Sequence, residues 1–425
     1  MTGRGTRSVA IAYGSGSLDI DVPADTTVVL PRHRSPAPDP LGALRAAINA
    51  PVAGPPLREL VRPGQRVAIS VCDITRPQPR PLQLAALAEV LDGVVRDEDV
   101  VVLIATGTHR ASTERERLEM LGPDVLARWR VVDHDARDEA SLEDLGMVGD
   151  VPVSLNREWL AADLRITTGF VEPHFFAGFS GGPKMVAPGL AGLNTVLALH
   201  NATRIGDPRA TWGVTVGNPV HDAIRAIAAA IRVDFALDVL IDDRHRITRA
   251  FGGEVLAMHA AAAAAARDEA MQPVERPFDI VVTTNSGYPL DQNLYQAVKG
   301  MSAAATVVSD GGTIVCAAEC RDGLPDHGLY AALLGSADSP AALMARILAS
   351  PQTQPDQWQV QVQARVQAKA RVLLRADGLS DAQVRAAHLE PTPDVSQAVA
   401  AGVAANPEAS VCVLPQGPQT IPYLA

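Results

Sequence analysis

The chain has 425 residues, 47% hydrophobic and only 4% aromatic, so alanine, valine and leucine must fill the cores of what is length enough for two domains. Its 37 Lys and Arg against 48 Asp and Glu give a net charge of -11 without a dense basic stripe, which argues against nucleic acid and anionic membranes as partners. Four cysteines, Cys72, Cys316, Cys320 and Cys412, make no C-x-x-C pair, which argues against a zinc knuckle or disulfide framework and suits reduced thiols.

The N-terminal stretch lacks the continuous apolar core of a signal peptide, and the longest apolar run, residues 260–266, is too short to span a bilayer. A cytoplasmic protein is expected. Residues 66–72 (RVAISVC) read as a buried strand, 82–95 as a helix, and 100–106 (VVVLIAT) as a second strand. A charged helix (TERERLEML) follows, then strands at 129–134, 164–168 (LRITT) and 237–241. Continuous apolar runs separated by helices predict a parallel sheet covered on both faces. An alanine-rich helix over 253–271 leads to QPVERP, where a domain boundary is placed. The pattern restarts with a strand at 279–284 (DIVVTT), a helix from Asn293 and a strand at 313–317. Helices at 340–348 and 358–374 and a strand at 410–415 complete it. The expected fold is two α/β domains with mainly parallel sheets and an interdomain active-site cleft. The first covers 1–272 and the second 273–407, with the tail 408–425 returning to the first.

Three unusual stretches each follow a predicted strand: DITRPQP from Asp73, GTHR from Gly107, and GFVEPHFFAGFSGG from Gly169. Ligands of open α/β sheets bind beyond the carboxyl ends of the strands, so polar motifs at three such ends are a stronger signal than one. Singly, each is also what an ordinary turn contains. In the third stretch a Gly-Gly pair lets backbone approach a ligand closely, and Lys184 beside it suits charge pairing with phosphate or covalent attachment of a cofactor. The spacing is not that of a Walker loop. His200 ends a helical run with Leu193, Val196 and Leu197, a position that suits a cap, a core residue or a metal ligand. His221 reads as structural. In NSGYPLDQNLYQAVK, Tyr295 and Lys299 share a helix face, with Gln296 beside them, at a strand end of the second domain.

DITRP, GTHR, EPHFFAGFSGGPK, LALHN, NPVHD, YPLDQNLYQAVK and the closing VLPQGPQTIP occur in an order that resembles the lactate racemase family over nearly the whole chain. That resemblance implies a nickel-pincer nucleotide (pyridinium-3-thioamide-5-thiocarboxylic acid mononucleotide carrying Ni2+) and racemisation or epimerisation of a 2-hydroxy acid. It further implies that Lys184 tethers the cofactor, His200 ligates nickel, and His109 and His174 are the catalytic bases. Arg76, Gln296 and Lys299 would hold the substrate, joined by Tyr295 and with Trp358 near the site. Asp73 and the turn Ser180, Gly181, Gly182 would contact the nucleotide. Transient cofactor-supplying proteins are the implied partners.

The chemistry suits those groups. The α-C–H of a 2-hydroxy acid is weakly acidic, so removing it as hydride while a base takes the hydroxyl proton is easier, and a planar 2-keto acid results. Two imidazoles, each titrating near neutrality, serve the two enantiomers. Arginine offers a planar fork to a carboxylate. Three other readings remain: a larger, malate- or sugar-acid-like substrate, a pyridoxal phosphate enzyme using Lys184, and a two-domain ligand-binding protein.

Overall fold

A computed structural model of the chain describes residues 5–32, 34–325 and 328–425. It divides into a terminal unit, Met1–Arg32, Asn201–Pro208 and Asp268–Ala425, and a central unit, His33–His200 and Arg209–Arg267.

The central unit is built on a six-stranded sheet in the order Ile247–Gly253, Phe235–Ile241, Leu164–Phe170, Val67–Cys72, Val100–Ala105, Arg130–Asp133. All neighbours are parallel except the first pair, an antiparallel edge. Every residue of Val67–Cys72 is buried, because helices cover both faces of a strand joined by crossovers. The core gathers Val67, Ile69, Val71, Val102, Ile104 and Ile166 from the sheet with Leu84, Leu87 and Leu91 of the helix Arg80–Leu91. In register Val67 lies opposite Val100 on one side and Leu164 on the other, so the carboxyl ends of the three motif-bearing strands share one sheet edge.

The terminal unit holds a second six-stranded sheet, ordered Glu390–Pro391, Arg371–Arg375, Val308–Ala317, Phe278–Thr284, Val411–Leu414, Thr27–Val28, with all pairs parallel. Two expectations are corrected here. The tail does not return to the first domain: Val411–Leu414 pairs with Phe278–Thr284, and the N-terminal segment joins it instead through Thr27–Val28. The N-terminal hairpin Thr6–Tyr13 and Gly16–Pro23 packs Ile11, Tyr13, Ile20 and Val22 into the same core as Ile280, Val282 and Val413. The helix expected over 358–374 is shorter. It runs Gln357–Lys369, and Arg371–Arg375 leaves it to pair with Thr313–Ala317, because Val372 and Leu374 gain a buried face in the sheet. Among the described residues no helix is long and apolar enough to cross a membrane.

Candidate active site

In the central unit the three strand-end loops are joined to one another. The Gly107 N–H donates to Gly189 O at 3.0 Å, and the Gly189 N–H donates to Lys184 O at 3.0 Å, linking the GTHR turn to the lysine segment. Ser70 Oγ donates to Met185 O at 3.2 Å from the neighbouring strand. Below the Asp73 loop, the buried Arg80 guanidinium donates to the carbonyls of Cys72 (2.8 Å), Arg76 (2.8 Å) and Asp73. Gln78, also buried, accepts from the Cys72 N–H and donates to Gln83 and Thr168, so this turn is fixed from inside. Arg80, Gln78 and Gln83 carry little signal in the sequence, where an arginine closing the Pro-rich DITRPQP stretch is what marks them.

Asp73 Oδ2 lies 2.6 Å from His109 Nδ1, and Thr75 Oγ1 donates to Asp73 Oδ1 at 2.7 Å. Burial pushes the Asp73 carboxyl up, but the bond and charge of His109, the charge of Arg76 and the Thr75 hydroxyl outweigh it and hold the group at about 2. An ionised Asp73 accepts the Nδ1–H of His109, so whenever that ring is neutral its lone pair lies on Nε2. Arg76 is half-buried and donates to the Thr75 hydroxyl at 3.1 Å.

His174 sits in the two-residue strand Pro173–His174, which pairs with Gly178–Phe179. Its Nδ1 accepts from the Ala177 N–H at 3.3 Å, so the neutral ring carries its proton on Nε2, the opposite tautomer to His109. The Phe176 ring meets His174 edge-on at 4.5 Å and His200 at 5.2 Å, which brings those histidines to one place. His200 caps the helix Leu193–Leu199, is 8% exposed, and donates Nδ1–H to Val196 O at 2.7 Å. Burial lowers it to about 4, with the Lys184 charge adding to the effect, so it is neutral and its lone pair is on Nε2. That is the form in which histidine ligates a metal while its other nitrogen is held by a carbonyl. Among the described residues no group of three or more His, Cys, Asp or Glu is placed to hold a metal ion. A metal at His200 would therefore draw its other donors from a bound group, which fits a cofactor that supplies its own.

Lys184 is half-buried in the short 3₁₀ turn Gly182–Met185. Gly181 and Gly182 have φ of +73° and +50°, a region that glycine enters without cost. The hydrogen bonds show what this turn spends its groups on. Ser180 Oγ donates to Phe170 O and accepts from the Glu172 N–H, both at 2.9 Å, and the Gly182 N–H donates to Asp238 at 2.6 Å. Ser180 and Gly182 thus build the turn. Asp238 and His259, which lie under it, were missed: one stood inside a strand read only as apolar, the other in the alanine-rich helix. His221, read as structural, stacks on His259 at 5.6 Å between ring centroids.

In the terminal unit the helix Leu294–Ala305 is capped by Asn293, whose side chain accepts from the Gln296 N–H at 3.0 Å. It buries Leu294, Ala297, Val298 and Met301 and leaves Tyr295, Gln296 and Lys299 half-buried on another face. Trp358 Nε1 donates to the Tyr295 hydroxyl at 3.1 Å, so Trp358 and Tyr295 do meet.

Residues 13–213 match the family model described as the lactate racemase N-terminal domain, and residues 274–421 match the lactate racemase C-terminal domain. The chain belongs to the lactate racemase family. A lactate racemase of Thermoanaerobacterium thermosaccharolyticum is 33% identical over 97% of this chain and 99% of its own length. That of Lactiplantibacillus plantarum is 34% identical over 87% of this chain and 88% of its own. The solved lactate racemase apoprotein of T. thermosaccharolyticum superimposes with a TM-score of 0.91 at 32% identity, covering 98% of this chain and 100% of that one. A Thermotoga maritima protein from a structural genomics programme, at 18% identity and a TM-score of 0.68 over 92% of this chain and 100% of its own, shares the fold. As a lactate racemase family member the protein is an enzyme, an isomerase, and the ligand-binding-protein reading falls.

Proposed function

We propose that this enzyme is a nickel-dependent racemase of lactate or a related short-chain 2-hydroxy acid. The relatives' name supports the substrate. The observation that carries the mechanism is the pairing of opposite tautomers: His109 is held as a base by Asp73, while His174 accepts at Nδ1 and carries its proton on Nε2. Lys184 is the tether and His200 the protein ligand of the nickel-pincer nucleotide, with Asp73 and the Ser180–Gly182 turn beside the nucleotide. When bound, that cofactor supplies the hydride acceptor. Arg76, Tyr295, Gln296, Lys299 and Trp358 are assigned to the substrate, with the planar fork of Arg76 suited to its carboxylate. His109 Nε2 takes the hydroxyl proton of one enantiomer as the α-hydrogen leaves, giving the planar 2-keto acid. A His174 ring that has taken up a proton from solvent would protonate the same oxygen when the hydrogen returns on the other face, while His109 gives its proton back to solvent, and the roles reverse in the opposite direction. The enzyme works in the cytoplasm and receives its cofactor from supplying proteins by transient contact.

The test is a racemisation screen of the cofactor-loaded, nickel-containing chain over lactate, malate and sugar acids in both configurations. Lactate should racemise fastest. If only larger acids react, the substrate assignment moves to them; if the mass carried on Lys184 is that of pyridoxal phosphate, the cofactor reading is lost. In single turnovers His109→Ala and His174→Ala should each lose about 10²–10⁴-fold with one enantiomer and not the other. A shared preference would rule out the two-base mechanism.

A further inference from the structure

Asp238 and His259 lie wholly inside the central unit, at 0% and 1% exposure, and both grip the two peptides that flank Gly181. His259 Nε2–H donates to Ser180 O at 2.8 Å, and Asp238 Oδ2 accepts the Gly182 N–H at 2.6 Å. The fit leaves no slack. A Cβ on Gly181 would stand 2.5 Å from Asp238 Oδ2, and one on Gly182 would stand 2.6 Å from the His259 ring. Asp238 Oδ1 is buried without a hydrogen-bond partner, which is costly for a carboxyl and which no leucine at that strand position would suffer. Burial pushes the Asp238 carboxyl up to about 7 and the His259 ring down to about 3. An acid kept in the core for a single bond is retained for what that bond does.

We infer that Asp238 and His259 are positioning residues, a buried clamp that fixes the Ser180–Gly182 backbone and so presents the Lys184 amine to the cofactor. The inference rests on Lys184 being the tether only for its purpose; the clamp's action on Lys184 is measured without cofactor. The sequence predicts a Gly-Gly pair whose backbone, the Gly182 N–H included, is open to a closely approaching ligand. The structure spends that N–H on Asp238, so the Gly-Gly pair serves close packing on the clamp.

Lys184, Lys299 and Lys369 are the chain's lysines, which makes amine labelling easy to assign. The apo chain is treated with an acetylating N-hydroxysuccinimide ester and each lysine followed by peptide mass. Asp238→Leu and His259→Leu should each raise the Lys184 rate roughly fivefold, the population change expected from losing one hydrogen bond, with Lys369 unchanged. Asp238→Asn, which keeps an acceptor, and His259→Gln, which keeps a donor, should restore the parent rate. A Lys184 rate unmoved by the leucine variants overturns the clamp. Should those variants not fold, hydrogen exchange of the parent decides: residues 178–185 should exchange slowly, and exchange at the rate of an open loop overturns the clamp as well. If the clamp passes and the loaded parent carries no adduct on Lys184, the tether reading has failed and the clamp has not.

Discussion

His221 and His259 stack with ring planes 29° apart, and burial holds them at about 4 and about 3, so both are neutral in the folded chain at any pH above 5. A depressed histidine stabilises fully above its unfolded value of 6.5, and the benefit is lost as pH falls through the folded value. Asp238 runs the other way. Raised by burial from 3.8 to about 7, it contributes below 3.8 and loses that contribution as pH rises through about 7. Between about pH 6 and 4 the unfolded chain binds two protons that the histidines refuse, and the folded chain binds one that the unfolded aspartate refuses, a net loss of about 1.4 kcal/mol per pH unit on acidification. The melting temperature should therefore fall over that window. His259→Gln should flatten the slope and Asp238→Asn should steepen it; equal slopes in all three proteins would show that these groups do not set it. Neither residue was visible in the sequence as a site residue, since a lone Asp in FALDVLI and a lone His among alanines carry no motif. His109, His174, Lys184 and His200 were visible because they stand in polar motifs at strand ends or at a helix end.

At the scale of elements, the helix Gln357–Lys369 shows what sequence pattern could not say. Gln357, Gln359, Gln361 and Gln363 are all buried, though an amphipathic reading would put alternate glutamines in solvent. Three of the four amides hold main-chain carbonyls: Gln359 Nε2 bonds Tyr295 O, Gln361 Nε2 bonds Ala202 O at 2.8 Å, and Gln363 Nε2 bonds Ala387 O at 2.8 Å. Gln363 also accepts from the buried Tyr330 hydroxyl, whereas the Gln361 Oε1 has no partner. The two should respond differently to leucine. Gln363→Leu strands a hydroxyl and weakens the satisfaction of a carbonyl, at about 1–3 kcal/mol for the stranded group. Gln361→Leu strands one carbonyl but removes an unsatisfied oxygen, so its net effect should be under about 1 kcal/mol. Urea denaturation would separate them, and a larger loss for Gln361→Leu would refute the accounting. The boundaries of this helix were misread for a related reason. No glycine or proline marks its end at Ala370, and the strand that follows is selected by its pairing with Thr313–Ala317, a contact distant in sequence.

For the whole molecule the two sheets were legible from their apolar runs, and the strands Val67–Cys72, Val100–Ala105 and Phe278–Thr284 fall where those runs lie. Ownership of the N-terminus was not legible, because parallel pairing to a strand nearly four hundred residues away leaves no local trace. The hairpin buries Ile11, Ile20 and Val22 at 1–2% exposure in the terminal unit. Its tip is tied there too: the Gly14 N–H donates to the buried Asp291 carboxylate at 2.8 Å, and the Tyr288 N–H donates to Gly14 O at 2.7 Å. Asp291 lies in the loop that leads to Tyr295, Gln296 and Lys299. Three such side chains at about 1.5–3 kcal/mol each are comparable with the whole stability of a domain, about 5–15 kcal/mol. A chain starting at residue 33 should therefore lose protection in the terminal unit while the central sheet keeps its own. Hydrogen exchange should quicken in Phe278–Thr284, Val411–Leu414 and Leu294–Ala305 and stay unchanged in Val67–Cys72 and Val100–Ala105. The opposite pattern, loss in the central sheet with the terminal one intact, would return the first thirty residues to the central unit, as the sequence alone had suggested.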